Sequence, residues 1–239
     1  MQGQKIDGIE VSNAVKEILK SAVEKLNSED VMPCLATVLV GDDPASATYV
    51  KNKHNACKKI GIKTMDHKLS ADTTQKELDK IIDNLNNDKE VHGILVQLPL
   101  PKQLDEFATV CRISPIKDVD GLTPQNVGLL SMGKSILKPC TPSGIIEMFY
   151  YYKINLEGKN VVMINRSNLI GKPLYHLLLQ NNATVTTCHS KTKNLNEYCK
   201  NADIIITGVG NPSKFKLTSD MIKQDAIVID VAISKYEGK

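Results

Sequence analysis

Tyr49 and Lys53 stand four residues apart in the segment Tyr49-Val50-Lys51-Asn52-Lys53. On a helix that spacing puts both on one face. A phenol beside an amine can hold and pass a proton. Gln97 lies near the end of an otherwise apolar run, Gly93 to Leu98, where a polar side chain must find a partner. The loop Pro115-Ile116-Lys117-Asp118-Val119-Asp120-Gly121 adds two carboxylates and a glycine turn. A Tyr, a Lys, an amide and a carboxylate at strand ends suit proton transfer near a substrate rich in oxygen and nitrogen. Each also has a plainer use on spacing alone. Tyr49 and Lys53 fit a solvated helix face, Asp118 and Asp120 an Asx-type turn, and Gln97 a bond to neighbouring backbone.

The second half carries a different chemistry. Arg166-Ser167-Asn168-Leu169-Ile170-Gly171-Lys172-Pro173 follows a strand pattern and opens a helix. It is not G-x-G-x-x-G, yet it has a polar turn, a glycine and a proline near the helix start, and a helix N-terminus favours a phosphate. The next strand pattern ends in His189-Ser190-Lys191-Thr192. An NAD site usually has an acid there for the ribose 2′-hydroxyl. Hydroxyls and a cation stand here instead, and Arg166 can fork onto a phosphate, so the set favours NADP. Thr207-Gly208-Val209-Gly210 ends the third strand pattern with small residues that admit a close backbone approach. Ordinary glycine turns with solvated charges would give the same spacings.

These groups need a scaffold, and the apolar pattern supplies one. Val11, Ala14, Val15, Ile18, Leu19, Ala22, Val23 and Leu26 recur at helical spacing. Cys34 to Val40 is a short β-branched apolar run and predicts a buried strand. A turn at Gly41-Asp42-Asp43-Pro44 leads into a helix ending near Gly61. A strand over Ile62 to Leu69, a helix over Thr74 to Leu85 and a strand over Gly93 to Leu98 follow. Pro99 and Pro101 stop that strand. Residues 114–142 are rich in Pro, Gly, Ser and Thr; they read as irregular and as a domain junction. Beyond them come strands at Asn160 to Ile164, Ala183 to Cys188, Asp203 to Thr207 and Ala226 to Val231, with helices at Lys172 to Leu179 and Leu195 to Lys200. Such alternation implies parallel sheets covered by helices on both faces, with ligands at the carboxyl ends of the strands.

The chain has 239 residues, enough for one large or two small domains, with 41% hydrophobic and 24% charged residues. A net charge of +3 is too small and too dispersed to indicate nucleic acid or a membrane surface. Cys34, Cys57, Cys111, Cys140, Cys188 and Cys199 form no C-x-x-C, and no His pair has zinc-finger spacing. They read as reduced thiols of a cytoplasmic protein, with no metal expected. No apolar stretch is long enough to span a bilayer, and Met1 to Glu10 has no signal-peptide core.

Several segments, in order and over almost the whole chain, resemble the methylenetetrahydrofolate dehydrogenase/cyclohydrolase family. They are Tyr49 to Lys53, Gly93 to Pro101, Lys117 to Gly121, Cys140-Thr141-Pro142-Ser143-Gly144, Arg166 to Pro173 and Cys188 to Thr192. The resemblance implies a two-domain α/β fold. Its domains would be an N-terminal α/β substrate domain over 1–140 and a C-terminal Rossmann-like parallel-sheet NADP domain over 141–239, with the active site in the cleft between them. It implies an enzyme of one-carbon folate metabolism, usually a homodimer. Such enzymes oxidise 5,10-methylenetetrahydrofolate with NADP and hydrolyse the 5,10-methenyl product to 10-formyltetrahydrofolate in the same site. A dehydrogenase alone, or a non-catalytic NADP-binding relative, are the other readings.

Carried over, Lys53 is the acid/base of hydrolysis, Tyr49 positions folate and Gln97 contacts Lys53. Leu98 and Pro99 line the folate site, and Asp120 binds the pterin. Arg166 and Ser190 take the cofactor's 2′-phosphate, with Thr141, Asn165, Ser167, Gly208 and Ile233 also on the cofactor. The sequence departs from the family pattern at Asn165 and Ala232, where glycine is usual. It also lacks the proline- and glycine-rich segment and final helix with which the pattern continues. Asn165 threatens to crowd a pyrophosphate unless it takes the left-handed angles that Asn tolerates.

Overall fold

In the computed structural model, which describes residues 3–211 and 213–232, the chain divides into two compact units between Gly128 and Leu129. The first opens with helix α1, Gly8–Ser28, whose start is capped by the Asp7 carboxylate accepting from the Ile9 N–H. Strand β1, Cys34–Val40, leads into α2, Pro44–Ile60. Asp43 caps α2 through the Ser46 N–H, Pro44 occupies its first turn, and Gly61 closes it at φ 83°, a left-handed angle that glycine takes without strain. Next come β2, Lys63–Leu69, and α3, Gln75–Asn87, which begins with a reciprocal Thr74–Glu77 capping box. β3, Gly93–Val96, completes a parallel sheet of order β2-β1-β3. Ala36, Val38, Leu78, Ile82, Ile94 and Val96 form its core.

Helices α4, Glu106–Arg112, and α5, Pro124–Ser131, follow. The second unit contains α6, Cys140–Tyr151, β4, Asn160–Ile164, α7, Gly171–Gln180, and β5, Thr184–Cys188. It ends with α8, Leu195–Lys200, β6, Ile204–Thr207, and β7, Ile227–Asp230. All four strands are parallel, in the order β5-β4-β6-β7. Val161 and Met163 of β4, with Ile204 and Ile206 of β6, enter one core with Phe149, Leu174 and Leu178. Val162 and Ile164, with Ile205, enter another with Cys199 and Met221. Both faces of this sheet are therefore covered at its centre, which is why β4 and β6 read as continuous apolar runs, while the edge strand β5 does not.

The sequence reading needs correction in three places. Residues 114–142 are not irregular throughout, because α5 and the start of α6 lie there. Thr123 and Pro124 begin α5: the Thr123 hydroxyl accepts from the Asn126 N–H at 3.4 Å, and proline suits a first helical turn. α4 is short and shows too little periodicity to be read, although Asp105 caps it through the Ala108 N–H. β3 ends at Val96, two residues early, although the Gln97 N–H still reaches the Val38 carbonyl at 2.9 Å. Pro173, read as lying near the helix start, is the third residue of α7, and it costs no bond there because first-turn N–H groups have no helical partner. Among the described residues no helix is long and apolar enough to cross a membrane.

Candidate functional site

α2 carries the candidate acid/base pair. The Lys53 Nζ sits 4.8 Å from the centroid of the Tyr49 ring, within cation–π range. The shared helix face foreseen from the spacing is therefore formed. Tyr49 is half exposed and Lys53 partly buried, so both remain open to a ligand.

A polar cluster that the sequence reading missed pins this turn of α2 to the sheet. Thr37, in the middle of β1, is 1% exposed. Its hydroxyl donates to Asp66 Oδ1 on β2 at 3.0 Å, and His54 Nε2 lies 3.0 Å from that hydroxyl and 2.8 Å from Asp66 Oδ1. Thr37 and Asp66 are register partners. A threonine inside an otherwise apolar buried run was the available signal, because a buried hydroxyl needs partners.

Gln97 follows β3. Its Nε2 donates to the Leu98 carbonyl at 2.7 Å, and its Oε1 is buried with no partner among the described residues. The plainer reading, a bond to neighbouring backbone, thus accounts for the donor end. Among the described residues no hydrogen bond joins Gln97 to Lys53, the pair expected to be in contact. Leu98 packs partly buried on the first core, and Pro99 is exposed after a cis peptide.

The Lys117-Asp118-Val119-Asp120-Gly121 loop lies alongside β3. The Ile94 N–H donates to the Lys117 carbonyl at 2.7 Å, and Ile94 bridges Asp118. Asp118 is 1% exposed and structural: Oδ2 accepts from the Thr123 N–H at 2.8 Å and from Asn126 Nδ2 at 2.9 Å. Lys117 is structural too, donating to the last carbonyls of α3 at Leu85 and Asp88. Asp120 is partly buried beside Gly121 at φ 63°.

In the second unit the register brings the candidate cofactor loops together. Ile164, the last residue of β4, pairs with Cys188 of β5 and Thr207 of β6. Arg166 and Ser190 each follow by two residues, so both leave the same end of the sheet, and both are exposed. Asn165 and Gly208 each follow by one, and the Asn165 Nδ2 donates to the Gly208 carbonyl at 3.0 Å. The Ser167 hydroxyl oxygen accepts from the Ile170 and Gly171 N–H groups, at 3.1 and 3.4 Å, and so closes the turn that leads into α7. Its proton stays available to an anion. A β-carbon on Gly171 would come within 2.5 Å of the Asn165 carbonyl, so glycine is required there for close packing. The turn after β5 is held by the His189 N–H on Thr192 Oγ1 at 2.8 Å and the Lys191 N–H on His189 Nδ1 at 3.2 Å. Thr141 lies exposed in the first turn of α6, with no hydrogen bond to these loops. Ile233 lies outside the described residues.

These observations fit a phosphorylated dinucleotide. Exposed Ser190 and Lys191 stand where an NAD site carries an acid, exposed Arg166 leaves the same end of the sheet from the loop after β4, and the close-packed turn at Gly171 directs a helix N-terminus at that loop. Among the described residues no group of three or more His, Cys, Asp or Glu side chains could hold a metal. The six cysteines are free, and burial raises the thiols of Cys34, Cys188 and Cys199 above their ordinary pKa.

The comparisons with known proteins agree with this geometry. The model of the tetrahydrofolate dehydrogenase/cyclohydrolase catalytic domain matches residues 6–120, and that of the family's NAD(P)-binding domain matches residues 139–239. A protein of Nitrosopumilus maritimus named "Bifunctional protein FolD" is 68% identical over all of this chain and 83% of its own length. One of the same name from Cenarchaeum symbiosum is 60% identical over 97% of this chain and 82% of its own. Among solved structures, the bifunctional FolD enzyme of Campylobacter jejuni superposes with a TM-score of 0.94 at 46% identity, covering 97% of this chain and 82% of that one. The Trypanosoma brucei enzyme, solved with NADP and an inhibitor, gives 0.92 at 33% identity over 98% of this chain and 80% of its own. The chain belongs to the tetrahydrofolate dehydrogenase/cyclohydrolase family.

Proposed function

We propose that this protein oxidises 5,10-methylenetetrahydrofolate to 5,10-methenyltetrahydrofolate with NADP and then hydrolyses the product to 10-formyltetrahydrofolate. The observation that carries the reading is the Lys53 amine held over the Tyr49 ring, in a chain that both family models match. NADP, when bound, supplies the hydride acceptor. Arg166, Ser190 and Lys191 hold its 2′-phosphate, and Ser167 with the start of α7 faces its phosphate bridge.

The hydrolytic step adds water to the one-carbon bridge and releases one ring nitrogen, so a proton must leave the water and another must reach the nitrogen. Lys53 performs that transfer, because it is the amine on the α2 face that also presents Tyr49. The Tyr49 ring keeps the amine from swinging into solvent and offers a flat surface to the folate. The unpartnered Gln97 Oε1 accepts from the pterin's amino or ring N–H groups, and Asp120 accepts from a second donor of the same heterocycle. A buried carbonyl without a partner is costly, so a ligand donor that fills it gains affinity.

We further propose that the protein is a cytoplasmic homodimer. Its free cysteines suit a reducing compartment, and light scattering on the purified protein tests the dimer.

The deciding assay incubates the purified protein with methylenetetrahydrofolate and either NADP or NAD, following reduced cofactor and methenyl compound together. Reduction with NADP, and decay of the methenyl signal faster than its spontaneous rate, are expected. Reduction without accelerated decay would leave a dehydrogenase alone. No turnover with either cofactor would overturn the reading.

A further inference from the structure

We propose that Asn165 is a positioning strut: it ties the loop after β4 to the loop after β6 and so preforms the phosphate seat, rather than touching the cofactor. The inference rests on the proposed use of NADP.

Both ends of the Asn165 carboxamide are committed inside the protein. Nδ2 donates to the Gly208 carbonyl at 3.0 Å, and Oδ1 accepts from the Ser167 N–H at 2.8 Å. The second bond is an Asx turn, the local geometry in which a short amide side chain mimics backbone. Asn165 is not among the residues with positive φ, so its place does not depend on the tolerance of asparagine for left-handed angles.

Gly208 has no positive φ either. Its glycine is needed for space. A β-carbon there would stand 2.5 Å from Asn165 Nδ2, 3.3 Å from Asn165 Cγ and 3.3 Å from Val231 Cγ2. The two positions, on neighbouring strand ends, are complementary in size: the amide occupies the volume that a side chain at 208 would fill. The strut also turns the Ser167 N–H inward. The anion is left the Ser167 hydroxyl proton and the Arg166 guanidinium, and their placement depends on the loop that Asn165 holds.

The test measures the dissociation constant of NADP by protein fluorescence or calorimetry, and the melting temperature without ligand. It compares the wild type, Asn165→Gly, Gly208→Ala and the double variant, with Asn165→Ala replacing Asn165→Gly should the latter not fold. Asn165→Gly is expected to weaken NADP roughly tenfold, the scale of one lost net hydrogen bond. Gly208→Ala should weaken it at least as much in the wild-type background and add little in the Asn165→Gly background, because its main obstacle is then gone. Unchanged or tighter NADP binding by Asn165→Gly would overturn the strut, since a residue that crowds the pyrophosphate gives that result. Additive losses in the double variant would overturn it as well. Failure of the wild type to bind NADP would sink the cofactor reading instead. The melting temperatures would then judge the strut: additive shifts reject it, and a double variant no less stable than Gly208→Ala supports it.

Discussion

In the first unit the reactive groups are side chains on a helix, and in the second they are turns at the ends of strands. Tyr49 and Lys53 stand on α2, whose buried residues are only Ser46, Val50 and Ile60. So few contacts would seat the helix loosely, and the Thr37–His54–Asp66 cluster, anchored on the buried Thr37 hydroxyl, adds a directional hold at the turn that carries Lys53. Arg166, Ser190 and Gly208 follow strands whose residues fill cores on both faces of the sheet. Their placement comes from strand register and from two close-packed glycines, Gly171 against backbone and Gly208 against the Asn165 side chain. A proton donor must meet one atom at one angle, so it needs a side chain with its own support. A phosphate is met by several N–H groups and charges at once, so backbone geometry serves it.

If that contrast is right, substitutions in the first unit change rates and those in the second change affinity or stability. The largest effect is expected from Lys53→Met. It should cut methenyltetrahydrofolate hydrolysis by about 10²–10⁴-fold while sparing most hydride transfer, as read from the two assays run on one preparation. Full hydrolytic activity would remove Lys53 from the role given to it.

Gly171→Ala comes second. On helix propensity alone alanine should stabilise by about 1 kcal/mol. Here its β-carbon would meet the Asn165 carbonyl at 2.5 Å and Arg166 Cα at 2.7 Å, both backbone atoms that cannot turn aside. Overpacking of that kind costs about 1–3 kcal/mol, so the net sign is destabilising, with weaker NADP binding. A higher melting temperature would show that the loop yields.

Thr37→Val is smaller. It removes a buried hydroxyl shared by His54 and Asp66 at little change in shape, for about 1 kcal/mol in denaturant unfolding. The expected split is a lower kcat for hydrolysis with NADP affinity unchanged. A change in NADP affinity alone would blur the contrast between the units.

The smallest effect concerns acid. The Lys223 ammonium, 2.6 Å from Asp203, and the Asn160 N–H, 2.7 Å from it, hold the Asp203 carboxyl below its ordinary pKa. A depressed folded pKa contributes stability above the ordinary carboxylate range, and that stability is lost as the pH falls through the folded value. Melting curves of wild type and Lys223→Met should therefore differ at neutral pH and converge as the pH falls below the ordinary carboxylate range. A gap independent of pH would mean that Lys223 acts through packing.

Much of this was legible in the sequence. The central strands of both sheets could be read because buried parallel strands are continuous apolar runs, as in Cys34–Val40 and Ile204–Thr207. The Tyr49–Lys53 face followed from helical spacing. The start of α5 was hidden by composition, since Thr123-Pro124 signals a turn or a helix start equally well. The division of labour between Asp118 and Asp120 was also hidden. Two aspartates two residues apart are alike until the register of the loop against Ile94 decides which is buried. Asn165 shows the same limit: a departure from glycine looks like crowding until its partner forty-three positions away is known.

The buried Asp118 also bears on how the chain exchanges its amide protons. Its carboxylate receives Thr123 and Asn126, and the Asn126 amide reaches back to the Pro115 carbonyl at 2.9 Å. The stretch from 115 to 126 is thereby stitched to itself and, through Ile94, to β3. To expose the Thr123 amide to solvent deuterium, this stitching must come apart. A segment whose composition suggests a loose linker should then exchange on the slow timescale of the strand beside it.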